Sequence, residues 1–596
     1  MIQYRLTKIR QRMKEENIDA YLVLSSDYHE SEYTSDFFKC REFLTGFTGS
    51  AGDVVILPTE SALWTDGRYY LQAEIELSGS GISLFRIGEE GVEEFEQYLF
   101  NHLYPGAVLG VDGKTICIGK YLELKKLLQK KQISIRTDCD LVGDIWENRP
   151  KMSCQPVWKL ELQYTGKSRK EKLMDVRKQL IENEADMTFI SSLEDIAWIL
   201  NIRGNDILCT PVVLGYLAIH MEYAIWFVQL EAIDVLLRQE LQLDGVYIKN
   251  YRDAYSFFSD EFVNQTLYLD FYRTNTVIYK NAKRFMHIKK GRNLTMLPKA
   301  IKNQIEINNE QKAHIKDAIA CIKFIYWLKT HVLYEPITEI SSAIKLEEYR
   351  QEQEHYLGPS FDTIVGYAQH GAIVHYSATQ QTNVLLKPEN FVLIDSGGHY
   401  LEGTTDITRT IALGTLSQKQ KYHYTLVLKG HIRLATAKFR YGCAGINLDY
   451  LAREALWELG LDYNHGTGHG VGYLLGVHEP PNCFRSHVSN NMDECIKLEP
   501  GMITSNEPGL YLPGEYGIRI ENLMLCKEIE RNKYGKFLGF DILTLVPFEK
   551  DAILAGELTY KERNWINEYH SKVYKTIGPY LNNEEKIWLK TATTMI

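Results

Sequence analysis

Apolar residues near the start of the chain alternate between helical spacing and short continuous runs. An amphipathic segment reaches Glu16, and the apolar runs AYLVLSS and DVVILP follow it; SALWT then leads into a second helical segment. Helical periodicity next to short runs rich in β-branched and aromatic residues is typical of alternating helices and strands. The pattern therefore predicts an α/β unit.

A similar order recurs after the charged helical segment SRKEKLMDVRKQLIENEAD. The apolar runs MTFI, PVVLGYLAI and EYAIWFV follow it, so that 185–226 resembles 20–64 in hydrophobic pattern. We predict a second, related α/β unit. The most hydrophobic stretch, Val212 to Val228, is interrupted by His220 and Glu222 and is rich in β-formers, which predicts a buried hairpin rather than a membrane span.

The remainder of the chain has a different pattern. Helical spacing in KNQIEINNEQKAHIKDAIACIKFIYWLK is followed by strand-like runs with glycine-rich turns, and the tail after Pro547 is again helical, with Trp565 and Trp588 available to dock it. A chain of 596 residues exceeds a single core of about 150 residues. We predict three domains: 1–155 and 156–303, both α/β, and 304–596 with the helical tail.

Composition narrows the functional classes. Apolar content of 45% and charged content of 24% are those of a globular protein, and a net charge of -10 provides no overall positive field for nucleic acid. The ten cysteines form no C-x-x-C pair, and the N-terminus has no uninterrupted apolar core of a signal peptide. We expect a cytoplasmic protein that binds neither nucleic acid nor membrane.

The segment HGTGHGVGYLLGVHEPP contains three histidines, His465, His469 and His478, among closely spaced glycines. The glycines from Gly466 to Gly472 recur at every second position, which is not the G-x-G-x-x-G spacing of a dinucleotide site. No Glu follows His465, and the glycines disfavour the helix of an H-E-x-x-H zinc site. Alternating glycines predict an extended segment whose backbone passes close to another part of the protein.

Four acidic residues lie at the ends of strand-like runs on either side of this segment. In IDSGGHYLEGTTDITRT a hairpin with a glycine-containing turn brings Asp395 and Asp406 together, and NEPGLYLPGEYGIRIEN does the same for Glu507 and Glu521. Four carboxylates held together with His469 would repel one another, whereas two divalent cations neutralise their charge. The pattern predicts a binuclear metal site.

Through these motifs, the sequence resembles the M24, or pita-bread, metallopeptidases, and within them the three-domain aminopeptidase P group. The motifs IDSGGHYLEGTTDITRT, HGTGHGVG, VHEPP, NEPG and GIRIEN occur in the order typical of the family, and EFLTGFTGSAG, WTDGRYYLQA and GYAQHGAIVHYSAT add to the match. The resemblance extends over nearly the whole chain. It implies α/β and α+β architecture: two creatinase-type α/β domains followed by a pita-bread catalytic domain.

The resemblance also implies roles for individual residues. The implied metal ligands are Asp395, Asp406, His469, Glu507 and Glu521. The implied catalytic residues are His375, His478 and the general base Glu507. The implied substrate-binding residues are Arg68, His375, His465 and His478.

The expected activity is that of an aminopeptidase that hydrolyses the bond between an N-terminal residue and a following proline. The expected cofactor is a pair of divalent ions that generates a bridging hydroxide. Oxygen-rich ligation with one imidazole favours Mn²⁺, although it does not exclude Zn²⁺. Peptides with proline at the second position are the expected substrates, and a homodimer is the expected assembly.

Two alternatives remain open from the sequence: a prolidase, which accepts only Xaa-Pro dipeptides, and a catalytically inactive pita-bread protein that serves as a binding scaffold. The length of the chain favours the aminopeptidase. Two departures from the family pattern, Pro480 after the HE pair and Asn506 before EPG, leave the local loop shape and the hydrogen bonds around the ligands undetermined.

Overall fold

The computed structural model describes residues 1–489 and 492–596. The chain forms two compact units. The first contains Met1–Leu162 and Lys167–Met296, and the second contains Gln163–Gly166 and Leu297–Ile596.

The first unit begins with a six-stranded sheet in the spatial order β4-β3-β2-β1-β5-β6. Its strands are β1 (Ala20–Val23), β2 (Asp53–Ile56), β3 (Ser61–Thr65), β4 (Ser83–Arg86), β5 (Val108–Val111) and β6 (Ser134–Arg136). The helices of this part are α1 (Ile2–Glu15), α2 (Cys40–Thr45), α3 (Tyr70–Glu76), α4 (Phe95–His102), α5 (Ile118–Leu128) and α6 (Leu141–Ile145). The strand β2 pairs antiparallel with both β1 and β3, and the other pairs of neighbours are parallel.

The next part of the chain builds a second sheet. Its strands are β7 (Trp158–Lys159), β8 (Met187–Ile190), β9 (Ile202–Arg203), β10 (Gly215–His220), β11 (Ala224–Val228), β12 (Val246–Asn250), β13 (Thr266–Leu269) and β14 (His287–Lys290). The helices are α7 (Leu162–Thr165), α8 (Arg169–Glu182), α9 (Leu193–Leu200), α10 (Val235–Leu243), α11 (Thr276–Ala282) and α12 (Met296–Ala300). Six strands form the sheet in the order β12-β11-β10-β8-β13-β14, and β7 pairs with β9.

The two six-stranded sheets share one topology. When the strands of each are numbered along the chain, both follow the order 4-3-2-1-5-6, with the same antiparallel pairs beside the first strand. The predicted relation between the two α/β parts is therefore confirmed at the level of strand order. The predicted hairpin is also confirmed, since β10 and β11 pair antiparallel and are almost entirely buried.

The second unit contains six long helices among many short strands. The helices are α13 (Gln304–His331), α14 (Glu339–Gln351), α15 (Gln418–Ala435), α16 (Asp449–Trp457), α17 (Tyr560–Ile577) and α18 (Asn583–Ala592). The first strands are β15 (Tyr356–Pro359), β16 (Ile364–Tyr367), β17 (Phe391–Ser396), β18 (Gly398–Tyr400), β19 (Gly403–Thr404), β20 (Ile407–Ala412) and β21 (Phe439–Arg440). The remaining strands are β22 (Gly468–Gly470), β23 (Glu479–Phe484), β24 (Ile503–Asn506), β25 (Gly509–Leu512), β26 (Tyr516–Arg519), β27 (Asn522–Asn532) and β28 (Gly535–Ile542).

The strands of the second unit form two three-stranded sheets, β15-β18-β19 and β16-β17-β20, a six-stranded sheet, β21-β28-β27-β24-β22-β23, and the hairpin β25-β26. One hydrophobic core joins the helices to the sheet β16-β17-β20 and to the hairpin β25-β26, with fully buried side chains such as Ile322 of α13, Val392 of β17, Val427 of α15 and Ile566 of α17. The helical tail is docked as predicted: Trp565 and Trp588 pack against this core. In the parts of the chain that the structure describes, no helix is both long enough and apolar enough to cross a membrane.

Candidate active site

Asp395 and Asp406 lie on neighbouring strands of the second unit. Asp395 is the penultimate residue of β17, opposite Thr408 of the antiparallel strand β20, and Asp406 directly precedes β20. The connection between them is more ordered than the predicted turn, because β18 and β19 pair antiparallel within it. The two aspartates are buried side by side, as the hairpin pattern predicts.

Glu507 and Glu521 reach the same place from a second pair of strands. Glu507 follows β24, and its backbone N–H donates to the Thr467 carbonyl at 2.9 Å. Glu521 directly precedes β27, and its N–H donates to the Thr408 carbonyl at 3.1 Å. These backbone hydrogen bonds tie Glu507 to the segment before β22 and Glu521 to β20.

His469 lies close to three of the four acidic residues: Asp406, Glu507 and Glu521. Its Nε2 is 3.5 Å from Asp406 Oδ2 and 3.4 Å from Glu507 Oε1. One donor atom from each of Asp406, His469 and Glu521 lies within 4.8 Å of the others, close enough to share one ion. The Nδ1 atom faces the Gly470 carbonyl at 3.0 Å, so Nδ1 carries the proton and the Nε2 lone pair faces the carboxylates.

The alternating glycines have the steric role that the sequence predicts. A Cβ at Gly468 would overlap the carbonyl oxygen of Ser505, and a Cβ at Gly470 would overlap that of Glu479. The strand β22 is thus pressed between β23 and β24, with which it pairs. This close approach brings His469 to the carboxylates on the adjoining strand ends.

The electrostatics of the cluster match a cation site. Burial raises the pKa of Asp406 and of Glu521 well above the ordinary range, and the neighbouring carboxylates raise both further. Burial likewise raises the pKa of Glu507 to about 7, although Arg519 acts to lower it. Among the described residues, Asp395 Oδ1 and Glu521 Oε1 are buried without a hydrogen-bond partner. Acceptor-only oxygens in this arrangement fit divalent cations.

Two residues of the site were not assigned a role from the sequence. Arg519 donates from Nη2 to Asp395 Oδ2 at 2.6 Å and from Nη1 to the Tyr511 hydroxyl at 2.7 Å. The Tyr511 hydroxyl is 2.8 Å from His465 Nε2, while His465 Nδ1 faces the Gly466 carbonyl. Arg519 lies two positions before Glu521 in GIRIEN, and alternate positions of an extended segment share a face, so this spacing was an available signal.

The structure also places the remaining predicted residues. The His478 ring lies perpendicular to the His469 ring, with centroids 4.2 Å apart. His375 follows Val374, whose carbonyl accepts a hydrogen bond of 3.3 Å from Arg519. Arg68 belongs to the first unit, where it forms a two-point ion pair with Asp66 at 2.9 and 2.8 Å.

The two departures from the family pattern have different surroundings. Pro480 is the second residue of β23. The Asn506 amide donates to the His431 carbonyl of α15 at 2.9 Å, and His431 Nδ1 contacts the Asn506 carbonyl at 3.0 Å. Asn506 therefore joins β24 to α15 by a reciprocal pair of hydrogen bonds, which an aspartate could not complete because it lacks the N–H donor.

Comparison with known proteins gives matches along the whole chain. Residues 308–528 match the model of metallopeptidase family M24, and 536–596 match the C-terminal region of peptidase M24. Residues 5–140 and 148–306 each match a creatinase/prolidase N-terminal domain.

Individual relatives are similar over most of their length. The chain is 37% identical to Xaa-Pro aminopeptidase 1 of Dictyostelium discoideum, over 99% of this chain and 96% of the relative. It is 34% identical to aminopeptidase P2 of Arabidopsis thaliana, over 99% and 88%. The fold matches the crystal structure of X-prolyl aminopeptidase from Caenorhabditis elegans with a TM-score of 0.95 and 33% identity over 100% of both chains. That protein is described as a cytosolic enzyme with a di-nuclear active site.

Proposed function

The chain belongs to metallopeptidase family M24, and we propose that it is an Xaa-Pro aminopeptidase, which hydrolyses the bond between an N-terminal residue and a following proline. The observation that carries this proposal is the similarity to an Xaa-Pro aminopeptidase over 99% of the chain. The convergence of four carboxylates and His469 in one buried cluster supports it, because an inactive scaffold has no need of such a charge arrangement.

We propose that two divalent ions are held by the donor set that the sequence implies: Asp395, Asp406, His469, Glu507 and Glu521. When bound, such a pair lowers the pKa of the attacking water and polarises the scissile carbonyl. Four carboxylates and one imidazole favour Mn²⁺, since hard oxygen donors dominate the set. Arg519 holds Asp395 in place through its Oδ2 atom, which leaves Oδ1 for an ion.

The residues around the donors have complementary roles in the proposed reaction. Glu507 accepts the proton of the attacking water, as a general base within the site. Proline leaves as a secondary amine that must gain a proton, and His375 and His478 stabilise it by hydrogen bonding or proton transfer. His465, fixed by Tyr511, orients the peptide, and a substrate-binding role of Arg68 stays a prediction from the sequence.

The substrate test uses peptides of two lengths. The purified protein should release only the first residue from Arg-Pro-Pro and from longer Xaa-Pro peptides, and blocking the N-terminal amine should greatly slow cleavage. Hydrolysis of Xaa-Pro dipeptides with tripeptides left intact would instead identify a prolidase. No hydrolysis of either class by protein that contains metal would support the inactive scaffold.

The metal test uses chelation and one ligand variant. Chelation should abolish hydrolysis and Mn²⁺ should restore it, because the acidic cluster requires cations. Asp406→Ala should lower both bound metal and activity, whereas Asp541→Ala, which removes a half-exposed partner of Lys527, should change neither. Full activity of a preparation that elemental analysis shows to be metal-free would contradict the proposal. Comparing the rates of hydrolysis with Mn²⁺, Co²⁺ and Zn²⁺ at equal occupancy of the site tests the preference for manganese.

We further propose that the chain has domains at 1–155, 156–303 and 304–596, that it acts in the cytoplasm and that it forms a homodimer. The distinct patterns along the sequence support the boundaries. Sedimentation of the purified chain tests the dimer, and limited proteolysis tests the boundaries.

A further inference from the structure

The connection from β16 to β17 carries His375 between two regular strands. It opens with the 3₁₀ turn Ala368–Ala372, and His375 follows in a stretch outside any helix or sheet. One backbone hydrogen bond closes a turn around His375, from the Tyr376 N–H to the Ile373 carbonyl at 3.1 Å, and contacts of the flanking residues must hold this turn in place. The contacts on both sides of His375 therefore show what holds this residue in position.

One buried carboxylate binds this connection at several points. Glu339, the first residue of α14, has no exposed surface. Its Oε1 accepts the Tyr367 N–H at 2.9 Å and lies 2.8 Å from His370 Nδ1. Its Oε2 accepts the Tyr376 hydroxyl at 3.0 Å and the Val384 N–H at 3.3 Å. The two oxygens thus hold the chain before and after His375.

The location of Glu339 suits a buried anion. It occupies the first turn of a helix, where the positive end of the helix dipole stabilises negative charge. The four polar contacts occupy both oxygens, which offsets the cost of burial. The rings of His370 and Tyr376, both bound to Glu339, also stack on each other with centroids 4.6 Å apart.

A second set of contacts fixes the connection from the side of the metal donors. The Val374 carbonyl accepts from Arg519, which also binds Asp395. Gly371 and Gly517 of β26 are in such close contact that a Cβ at Gly517 would overlap the Gly371 carbonyl. The residue before His375 is therefore held by the acidic site, and the residue after it is held by Glu339.

We propose that Glu339 is a positioning residue for His375. It acts through Tyr376 and His370, and it sets where the imidazole lies relative to Asp395. The inference rests on the role of His375 in the proposed function, and it adds a residue that the sequence motifs do not mark. A displacement of about 1 Å at a reacting group lowers the rate by up to about 100-fold, so a buried anchor of this kind is visible in kcat.

Two variants remove parts of the anchor. Glu339→Gln replaces one acceptor oxygen with an N–H₂ group, which faces a backbone N–H donor whichever way the amide is turned: that of Tyr367 or that of Val384. Tyr376→Phe removes only the hydroxyl and keeps the ring. The matched control is Tyr367→Phe, because the Tyr367 hydroxyl lies on the same connection but donates to the Glu389 carbonyl at 3.2 Å.

We expect Glu339→Gln and Tyr376→Phe to lower kcat by about 10-fold or more, with bound metal unchanged and KM changed less than kcat. Tyr367→Phe should keep wild-type kinetics. Unchanged kcat in both test variants, or an equal loss in the control, would overturn the inference.

A double-mutant cycle with His375→Ala separates positioning from a general loss of structure. In the His375→Ala background, each test substitution should lower kcat by less than about 2-fold, because its target is gone. The same 10-fold loss in both backgrounds would show that Glu339 does not act through His375. Near-normal kcat of His375→Ala alone would instead contradict the role of His375 in the proposed function. If Glu339→Gln does not fold, the cycle with Tyr376→Phe decides the outcome.

Discussion

Asn506 lies next to Glu507 in the chain, yet its side chain serves the contact between β24 and α15. It donates to the His431 carbonyl, and burial followed by the charge of Arg409 lowers the pKa of His431 to about 3, so this imidazole stays neutral. Asn506→Asp would place a carboxylate against a carbonyl oxygen. We expect the free energy of unfolding to fall by about 1–3 kcal/mol in urea titrations.

The control for this substitution is Asn308→Asp, an exposed position on α13, where a change within about 0.5 kcal/mol is expected. Equal effects at the two positions would show that the contact with His431 does not stabilise the protein. The departure from the family pattern at Asn506 is therefore expected to affect the stability of the site and not the identity of its donors.

The raised pKa values of the acidic cluster predict how the metal-free protein responds to pH. Glu507 ionises near pH 7 in the folded chain but near its ordinary value of 4.5 when unfolded, so the folded state binds more protons between these pH values. Stability is thus present below the unfolded pKa and is lost as the pH rises. We expect the free energy of unfolding to decrease by about 3 kcal/mol from this group alone.

Urea titrations of chelated protein between about pH 4 and pH 8, which span both pKa values, measure this decrease. Glu507→Gln lacks the titrating group and should show a smaller decrease, and saturating Mn²⁺ should suppress the decrease in the wild type. A wild-type protein and a Glu507→Gln variant with parallel pH profiles would contradict the prediction.

The proposed metal donors could be selected from the sequence because their types, their spacing and their positions at strand ends all agree. Arg519 and Tyr511 could not be assigned in the same way. Arg519 binds Asp395 across 124 residues of chain, and a single sequence shows no such pairing. Likewise, Glu339 lies in an ordinary amphipathic helix, where a glutamate is expected at the surface rather than buried.

At the scale of elements, β23 begins with a buried charge cluster. Glu479, its first residue, forms ion pairs with Lys299 of α12 at 2.8 Å and with Lys302. The three side chains are between 1% and 4% exposed, so two ammonium groups share one carboxylate inside the protein. Because His478 directly precedes Glu479, the cluster also fixes where this histidine enters the site.

Removal of the shared carboxylate should be costly. Glu479→Gln is expected to lower the free energy of unfolding by about 3–5 kcal/mol, because it removes the carboxylate that two buried ammonium groups share. The matched control is Glu515→Gln, which breaks an ion pair of 2.7 Å with Lys419 where both side chains are about half exposed. That change should cost less than about 1 kcal/mol. If chemical denaturation gave similar losses in the free energy of unfolding for the two variants, burial of the Glu479 cluster would not explain its contribution to stability.

The elements with a long hydrophobic period could be predicted from the sequence, and the shorter ones escape prediction for a physical reason. The hairpin β10-β11 and the helices α17 and α18 follow long, regular patterns. The pair β18-β19 was expected as a turn, since its strands have three and two residues and are too short to show a period. Tertiary contacts create these strands: the Thr404 N–H donates to the buried Glu310 carboxylate of α13 at 3.2 Å.

For the whole molecule, the division into two compact units predicts how the protein unfolds. All five proposed metal donors belong to the second unit, and both repeated sheets belong to the first. Differential scanning calorimetry should show a transition that is not two-state. Mn²⁺ at about 100 times its dissociation constant should stabilise the second unit by about 2.7 kcal/mol and shift only its transition.

Asp406→Ala provides the control for the calorimetry, since loss of a donor should abolish the shift while leaving the metal-insensitive transition in place. A single transition that moves as a whole with added Mn²⁺ would mean that the two units unfold together.

The crowded strand β22 also limits the mutational freedom of the gene. Every single-base change of a glycine codon that alters the residue introduces a Cβ or a stop, and at Gly468 and Gly470 that carbon has no room beside Ser505 and Glu479. In a saturation library selected for activity, substitutions at these two positions should be depleted as completely as substitutions of His469. Gly460 and Gly514 have open space around the same atom, and their left-handed backbone should still tolerate asparagine. The geometry that brings the His469 imidazole to the carboxylates thus leaves an evolving population almost no neutral substitutions along this strand.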